Sequence, residues 1–242
     1  PENDDIRGEL SEEASSVLMK NLWAARLARP DLARPTCKLA GKVQNWTRNN
    51  DRQLRRLMEY MNGSVQHTLE GFMCDRQEDL ELWMFVDADL SSDIEHTKST
   101  SGAFLVLVGP SSWMPITWLC SKQTSTSKST TEAESVALVT ALLQEAYPIL
   151  DLLEVIFGRV VILRIKEDNT ATIKVLKDGY SSKLRHVLRT HKLNLGVVKE
   201  GIEDHGVKLE HVETDKQSAD IFTKDLAPCK WPNALELIGM YP

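Results

Sequence analysis

Four acidic residues stand where an apolar element would bring a carboxylate to one edge of a sheet. Asp87 and Asp168 end apolar runs that predict strands, Glu134 lies early in an apolar helix, and Asp220 lies in the last predicted helix. If the two strands are adjacent and parallel, their terminal carboxylates meet at one edge. Clustered carboxylates without His or Cys partners favour a hard cation such as Mg²⁺ or Mn²⁺. The spacing therefore indicates metal chemistry.

Each of these acids also has a purely structural interpretation. An Asp at a strand end is often a turn residue. Asp168 could cap the following helix, and Asp220 could lie on a solvated face. Glu132 and Glu134 are alternatives for one role. The capping box that Glu132 forms with Ser129 already explains Glu132. Glu134 lies two residues further along, about 200° around the helix from Glu132, and is therefore the candidate that faces the core.

Composition limits the possible functions. The chain has 242 residues, 42% hydrophobic and 26% charged, as in ordinary globular proteins. Its net charge of −6 does not favour attraction of the whole protein to nucleic acid, so such binding would need a local basic face and metal ions. Four widely separated cysteines predict reduced thiols rather than disulfides or a zinc knuckle.

Targeting signals are not apparent in the sequence. We find no apolar run near the roughly 20 residues of a membrane span, and residues 1–10 are acidic and polar, unlike an export signal. We therefore expect no membrane partner. The chain starts with Pro1 rather than Met, as a processed product or a fragment would. Nothing indicates an oligomeric state.

The elements that must position the acids follow a helical first third. One helix is predicted from Ser11 to Pro30, and a second from a cap at Asn50 or Asp51 to Gly63. Pro148 is expected to kink or split a long helix that begins after Ser129. After residue 80 the predicted order is three strands, a helix, a strand, two helices, a strand and a helix, at 83–86, 103–108, 113–119, 129–157, 160–165, 169–177, 183–200, 207–212 and 215–226.

Several segments, in this order, carry a family resemblance. The runs "FVDADLSSD", "KSTSGAFLVLVG", "ITWLCSKQTSTSKSTTEAESVAL", "EDNTATIKVL" and "ETDKQSADIFTKDLAP" resemble the ribonuclease H domain of copia-type LTR retrotransposon Pol polyproteins. Upstream, "LWAARLARPDLARPTCKLA" and "QLRRLMEYMNGS" resemble the connection between the reverse-transcriptase thumb and that domain. The resemblance implies a small helical connection segment at 1–80, a ribonuclease H-like domain at 81–228 and a tail at 229–242.

The resemblance implies a fold, an activity and partners. The fold is α/β, with a mixed five-stranded sheet flanked by helices. By position, Asp87, Glu134, Asp168 and Asp220 match the four metal-binding carboxylates of the family. The implied activity is endonucleolytic cleavage of the RNA strand of RNA–DNA hybrids with two Mg²⁺ (or Mn²⁺) ions during reverse transcription. The implied partner is the upstream reverse-transcriptase domain of the same polyprotein, in the cytoplasm within a virus-like particle or in the nucleus.

The chain also departs from the family pattern. Leu90 and Ser91 replace the usual Trp and Gly, and "LRHVLRTHKLNLGVV" replaces the "KHI…YHF" segment. No His lies between His211 and Asp220, where cellular ribonucleases H have a proton-shuttling His. His186 and His191 either substitute for it or are ordinary polar positions on a basic helix.

A basic face could contact the backbone of a hybrid, which is read by shape. It could equally be solvated surface. Its candidate residues lie in the polar loop before Glu134 and in the basic helix, and they are Lys122, Lys128, Lys183, Arg185 and Arg189.

Two other functions remain open at this point. One is a catalytically silent connection or tether module of a decayed polyprotein, which binds nucleic acid or the polymerase domain. The other keeps the fold but cuts duplex DNA, since integrases and resolvases use similar carboxylate clusters.

Overall fold

The computed structural model describes residues 6–93, 97–204 and 206–242, without the side chains of 91–93 and 204. Two compact units are present: residues up to Leu69 with Met240–Pro242, and Glu70–Gly239. The division falls before Glu70 rather than after residue 80, because Phe72 pairs with Trp113 and the segment joins the larger unit. Residues 229–239, predicted as tail, also fold with the larger unit.

The smaller unit is built from three helices, α1 (Ala14–Leu27), α2 (Ala33–Ala40) and α3 (Arg48–Gly63). Two-residue strands β1 (Thr68–Leu69) and β7 (Met240–Tyr241) pair antiparallel and close it. The helical character expected of this segment is therefore present.

The predicted cap of α3 is wrong. Thr47, not Asn50 or Asp51, precedes the helix. The buried Asp51 carboxylate instead accepts hydrogen bonds from the Trp46 indole at 2.7 Å and from the backbone N–H of Glu9 at 2.7 Å. Asp51 thus ties the segment before α1 to the start of α3.

The larger unit contains a mixed five-stranded sheet. Its strands are β2 (Glu81–Asp93), β3 (Lys98–Val108), β4 (Trp113–Lys122), β5 (Leu163–Glu167) and β6 (Val207–His211), in the order β4-β3-β2-β5-β6. The first three form an antiparallel meander, while β5 runs parallel to both β2 and β6. The strands that carry Asp87 and precede Asp168 are thus adjacent and parallel, which is the condition for their acids to meet at one edge.

Helices cover both faces of this sheet. Val86 and Ala103 belong to the core formed with α4, whereas Phe104 stacks on Phe222 from the opposite side, as the alternation of side chains along a strand requires. The helices of the unit are α4 (Thr130–Ala141), α5 (Tyr147–Phe157), α6 (Thr170–Asp178), α7 (Val187–Thr190), α8 (Leu195–Asp204), α9 (Asp220–Thr223) and α10 (Trp231–Leu237).

Pro148 does not split the long helix. Residues Leu142–Ala146 form a π-helical turn that joins α4 to α5, and Tyr147 N–H donates to the carbonyl of Leu142. The wider turn gives the pyrrolidine ring the space that a regular α-helix denies it. The helix therefore continues through the proline.

Residues Thr130–Phe157 form the one helix, within the described residues, that is long and apolar enough to cross a membrane by length and composition. This run was not predicted from the sequence. Its inner face packs on β2 and β3, and the side chains of Ala133, Ala137 and Leu138 are fully buried there. A core helix satisfies the same two criteria, so the finding carries no further conclusion.

The basic segment is not one helix. It contains a short 3₁₀ turn at Ser182–Leu184, then α7, then α8. Lys192 lies between the two α-helices with a φ of 59°, in the left-handed region that interrupts a helix. Its cations consequently do not share one helical face as predicted.

Candidate active site

Three of the predicted acids meet at one edge of the sheet. Asp87 lies on β2 just beyond the parallel pairing with β5, which ends at Phe85, and Asp168 directly follows β5. Asp220 begins α9. One carboxylate oxygen from each of Asp87, Asp168 and Asp220 lies within 4.8 Å of the other two. β2 itself continues past Asp87, so this residue does not end the strand as predicted.

Gly102 allows α9 to reach Asp87. It is the register partner of Asp87 on β3, and a Cβ there would lie 2.5 Å from the Thr223 methyl carbon and 3.0 Å from Phe222 Cβ. A helix can therefore lie directly against the strand at this point. The Thr223 hydroxyl then donates a short hydrogen bond to Asp87.

The last predicted helix is shorter than expected. The segment predicted at 215–226 has only a four-residue α-helix, α9, preceded by a 3₁₀ turn at Thr214–Lys216. Between them the buried Gln217 side chain donates to the carbonyls of Val86 at 3.0 Å and Lys166 at 3.4 Å. Gln217 thereby joins β2 next to Asp87 to the end of β5 near Asp168.

Lys224 supplies a positive charge to the same cluster. Its Nζ lies 2.6 Å from an Asp220 oxygen and 3.2 Å from an Asp87 oxygen. Burial acts to lower the pKa of Lys224, but Asp87 and Asp220 outweigh it and raise the pKa above the ordinary value, so the ammonium stays charged. Sequence reasoning missed this residue, although its i+4 spacing from Asp220 was a usable signal.

Glu134 reaches the cluster from α4. Ser129 caps that helix by accepting from the Glu132 N–H, as predicted. The Glu134 Oε2 atom accepts from Asn169 Nδ2 at 2.5 Å and from the Thr172 hydroxyl at 2.6 Å. Burial, together with the charges of Asp87 and Asp168, raises the pKa of Glu134 to about 7.

Asp168 is not a helix cap. The Asn169 side chain caps α6 by accepting from the N–H groups of Ala171 and Thr172. Asp168 is therefore available to the carboxylate cluster, and its Oδ2 accepts a hydrogen bond from the Thr214 hydroxyl at 3.2 Å.

A fifth acid, Glu167, lies beside Glu134. Ligand atoms of Glu134, Glu167 and Asp168 lie within 4.8 Å of one another, and Glu167 is fully buried. Burial, then the charge of Glu134, raises the pKa of Glu167 to about 9. Sequence reasoning missed it, although alternation with Leu163 and Ile165 on β5 predicts a side chain that faces the core.

The five carboxylates fit a hard divalent cation. All offer oxygen atoms, the ligands that Mg²⁺ and Mn²⁺ prefer. The Oε2 atom of Glu167 is buried and has no hydrogen-bond partner in the described part of the chain. Such an atom is costly unless something satisfies it.

The metal-free protein is expected to lose stability as the pH rises from about 5 to 9. Burial raises the pKa values of Asp220 to about 6, Glu134 to about 7 and Glu167 to about 9. An acid with a raised folded pKa stabilises the fold below its unfolded pKa and loses that contribution as the pH passes the folded value. We expect a loss on the order of a few kcal/mol, measured by denaturant unfolding in EDTA.

Saturating Mn²⁺ should reverse this trend, because the cation binds the ionised carboxylates of the folded state. A flat stability profile between pH 5 and 9 in EDTA would contradict the raised pKa values.

His186 and His191 both bind Glu132. The Nε2 atom of His186 lies 3.1 Å from both Glu132 oxygens, and that of His191 lies 3.0 Å from one of them. The Glu132 carboxylate also accepts from Lys128 N–H, so it does not close the predicted capping box on Ser129. The two histidines thus contact the first turn of α4 through Glu132.

The residues predicted to contact nucleic acid lie on the protein surface. The Ser125 hydroxyl donates to the carbonyl of Thr190 at 3.0 Å, which joins the polar loop to α7. The Arg185 guanidinium donates to the Tyr180 hydroxyl at 2.6 Å. The side chains of the five candidate cations are exposed, namely Lys122, Lys128, Lys183, Arg185 and Arg189. Their contact with nucleic acid stays a prediction.

The strand order and the cluster of acids define an α/β domain of the ribonuclease H-like class. No family model matches the chain. The chain is similar in sequence to one part of the Pol polyproteins of plant transposons.

Three curated relatives match nearly the whole chain. Retrovirus-related Pol polyproteins from transposons RE2 and RE1 of Arabidopsis thaliana are 27% and 26% identical over 92% of it. The corresponding polyprotein from transposon TNT 1-94 of Nicotiana tabacum is 24% identical over 94%. The chain spans only 15%, 14% and 16% of these relatives, respectively.

Solved structures show weaker likeness. LC11-RNase H1, isolated from compost, aligns with 59% of this chain and 92% of its own at a TM-score of 0.41 and 14% identity. An N-terminal RNase H domain from Mycobacterium tuberculosis aligns with 64% of this chain and 99% of its own, at 0.40 and 13%. The fold assignment rests on the strand order of the sheet itself.

Proposed function

We propose that this chain is a metal-dependent endonuclease that hydrolyses the RNA strand of RNA–DNA hybrids during retrotransposon reverse transcription. One observation carries the proposal: the carboxylates of Asp87, Glu134, Asp168 and Asp220 converge from four separate segments at one edge of a ribonuclease H-like sheet. Carboxylates this close repel one another, and a bound cation would offset that repulsion.

Two Mg²⁺ or Mn²⁺ ions are the proposed cofactors, held by these four carboxylates. When bound, such ions lower the pKa of an attacking water and stabilise charge on the phosphate and on the leaving 3′ oxygen.

The chain's own residues fix the orientation of the acids. The Thr223 hydroxyl and the Lys224 ammonium hold Asp87 from one side, while Asn169 and Thr172 hold one oxygen of Glu134. A carboxylate whose rotamer is already fixed loses little entropy when it binds a cation or substrate. The site is thus organised before the hybrid arrives.

Substrate contact is proposed for the exposed cations around the polar loop and α7. Because the net charge is −6, these side chains must act locally on phosphates, and the bound cations must offset the acids. We propose that the hybrid comes from the upstream reverse-transcriptase domain of the same polyprotein, inside a virus-like particle or in the nucleus. The homology to Pol polyproteins supports this partner.

The test is cleavage of a labelled RNA–DNA hybrid by the purified chain in Mg²⁺ and in Mn²⁺. We expect RNA fragments from the parent, none in EDTA, and a loss of about 10³-fold or more for Asp168→Asn. The matched control is Asp178→Asn, an exposed Asp at the end of α6, which should cut at the parental rate.

Two other outcomes would support the alternative functions. A hybrid that is bound but stays intact in both metals would contradict the proposal and indicate a silent tether module. Cleavage of duplex DNA in preference to the hybrid would indicate the chemistry of an integrase or a resolvase.

A further inference from the structure

The carboxylates at this edge form two groups that share Asp168 and differ in counter-charge. Lys224 lies between Asp87 and Asp220 and provides a full positive charge there. The second group is Glu134, Glu167 and Asp168. In the part of the chain that the structure describes, the hydrogen bonds to this second group come from neutral donors, which are Asn169, Thr172 and Thr214.

Among the described residues, the hydrogen bonds to each acid of the second group reach only one of its two oxygens. Glu134 accepts both of its hydrogen bonds through Oε2, and Asp168 accepts through Oδ2. Glu167 accepts from the Asn169 N–H through Oε1 at 3.1 Å. Its Oε2 atom is buried and unpartnered among the described residues.

The buried oxygen of Glu167 is the observation that points to a ligand. The residue is 0% exposed, so water cannot solvate its carboxylate as it does at a surface. Leu163 and Ile165, which precede it on the same side of β5, are apolar core residues. A carboxylate at the end of such a row needs a partner, and ligand atoms of Glu134 and Asp168 lie within 4.8 Å of it.

We propose that Glu134, Glu167 and Asp168 form a divalent-cation site in which Glu167 is a ligand, distinct from the position between Asp87 and Asp220 that Lys224 contacts. The donors are oxygen atoms only, which selects a hard cation such as Mg²⁺ or Mn²⁺. This inference deepens the proposed function, on which it rests, because it names a fifth carboxylate of the same centre and the group that takes a cation first.

Lys224 explains the order of occupancy. Its ammonium already neutralises part of the charge on Asp87 and Asp220, so a cation that enters there competes with it. The second group has no such competitor within the described residues. The first cation therefore binds at Glu134, Glu167 and Asp168.

The test is Mn²⁺ binding to the full chain without nucleic acid, with free Mn²⁺ measured by electron paramagnetic resonance. Glu167→Gln keeps the shape of the side chain and its acceptor for Asn169 N–H, but removes the charge. We expect its Mn²⁺ Kd at the tightest position to rise roughly 10- to 100-fold. Glu200→Gln on exposed α8 is the matched control and should bind like the parent.

A variant of the other group tests the separation of the two positions. Asp220→Asn should raise the Kd of the tightest Mn²⁺ position less than Glu167→Gln does, since Asp220 neighbours Asp168 but is not among the proposed ligands. If Glu167→Gln does not fold, as judged by circular dichroism, Glu167→Asp replaces it. The shorter side chain keeps the negative charge but moves the carboxylate away from the proposed cation. It too should weaken binding.

The outcomes separate this inference from the proposed function. Parental Mn²⁺ affinity in the folded Glu167 variant would overturn the inference even if the parent cuts hybrids. A loss of affinity in that variant would support it even if the parent cuts nothing. A greater loss in Asp220→Asn than in Glu167→Gln would also overturn it, because the first cation would then lie at the other group.

Discussion

Asp87→Asn is expected to abolish hybrid cleavage, with a loss of about 10³-fold or more in initial rate. Asp87 is buried and lies within reach of the ligand atoms of Asp168 and Asp220. The amide keeps an oxygen that can accept from Thr223, but it removes the charge that a cation would bind and places an N–H₂ group where Lys224 can lie against it. The loss should therefore come from the chemistry rather than from the fold.

Two measurements separate these causes. The midpoint of thermal unfolding in EDTA should stay within a few degrees of the parental value, since like charge near Asp220 is removed together with the partner of Lys224. Binding of an uncleavable hybrid should change little. If Asp87→Asn cut the hybrid at the rate of Asp178→Asn, the assignment of Asp87 to the catalytic centre would be wrong.

Phe222→Ala is expected to cost about 3 to 5 kcal/mol of unfolding free energy. Phe222 is fully buried on α9 and stacks on Phe104, with the ring centroids 6.2 Å apart and an interplanar angle of 18°. Removal of the ring leaves a cavity between α9 and β3. Because α9 also carries Asp220 and Thr223, cleavage should fall together with stability. Urea denaturation measures the first effect, and the hybrid assay measures the second.

Phe222→Leu is the matched variant, because it keeps much of the buried volume. It should cost about 1 to 2 kcal/mol and retain most of the cleavage rate. A Phe222→Ala protein within 1 kcal/mol of the parent would show that α9 is held by contacts other than this aromatic stack.

The sheet and its two strand-linked acids could be predicted because they depend on local patterns. The apolar runs before Asp87 and Asp168 have the length and residue types of buried strands, and parallel pairing then brings their ends together. The helix cap at Ser129 could be predicted for the same reason, since it depends only on residues within one helical turn.

The parts that failed depend on contacts distant in sequence or on a backbone irregularity. Asp51 is predicted as a cap because it stands at a helix start, but its partner, the Glu9 N–H, comes from another segment. The left-handed Lys192 and the π-turn before Pro148 have no residue-type signature that outweighs the surrounding helical pattern.

The two site residues that were not predicted, Lys224 and Glu167, were missed for the same reason. Lys224 contacts Asp87 because α9 lies against Gly102, and this tertiary contact leaves no pattern in the local sequence. Glu167 stands next to Asp168, and only the strand alternation separates their directions. An adjacent acid pair in a sequence is more readily read as one functional residue and one solvated neighbour.

Asp220 lies on α9, which follows all five strands of the sheet along the chain. All five strands and the helices through α8 precede α9, so a chain shortened after His211 keeps every strand of the sheet and loses Asp220, Thr223 and Lys224 together. During synthesis the domain would collapse around its sheet before the last acid emerged from the ribosome, and pairing of segments so far apart is slow. A chain whose synthesis stops before α9, or that is cut there, would therefore have the folded sheet without the complete carboxylate cluster.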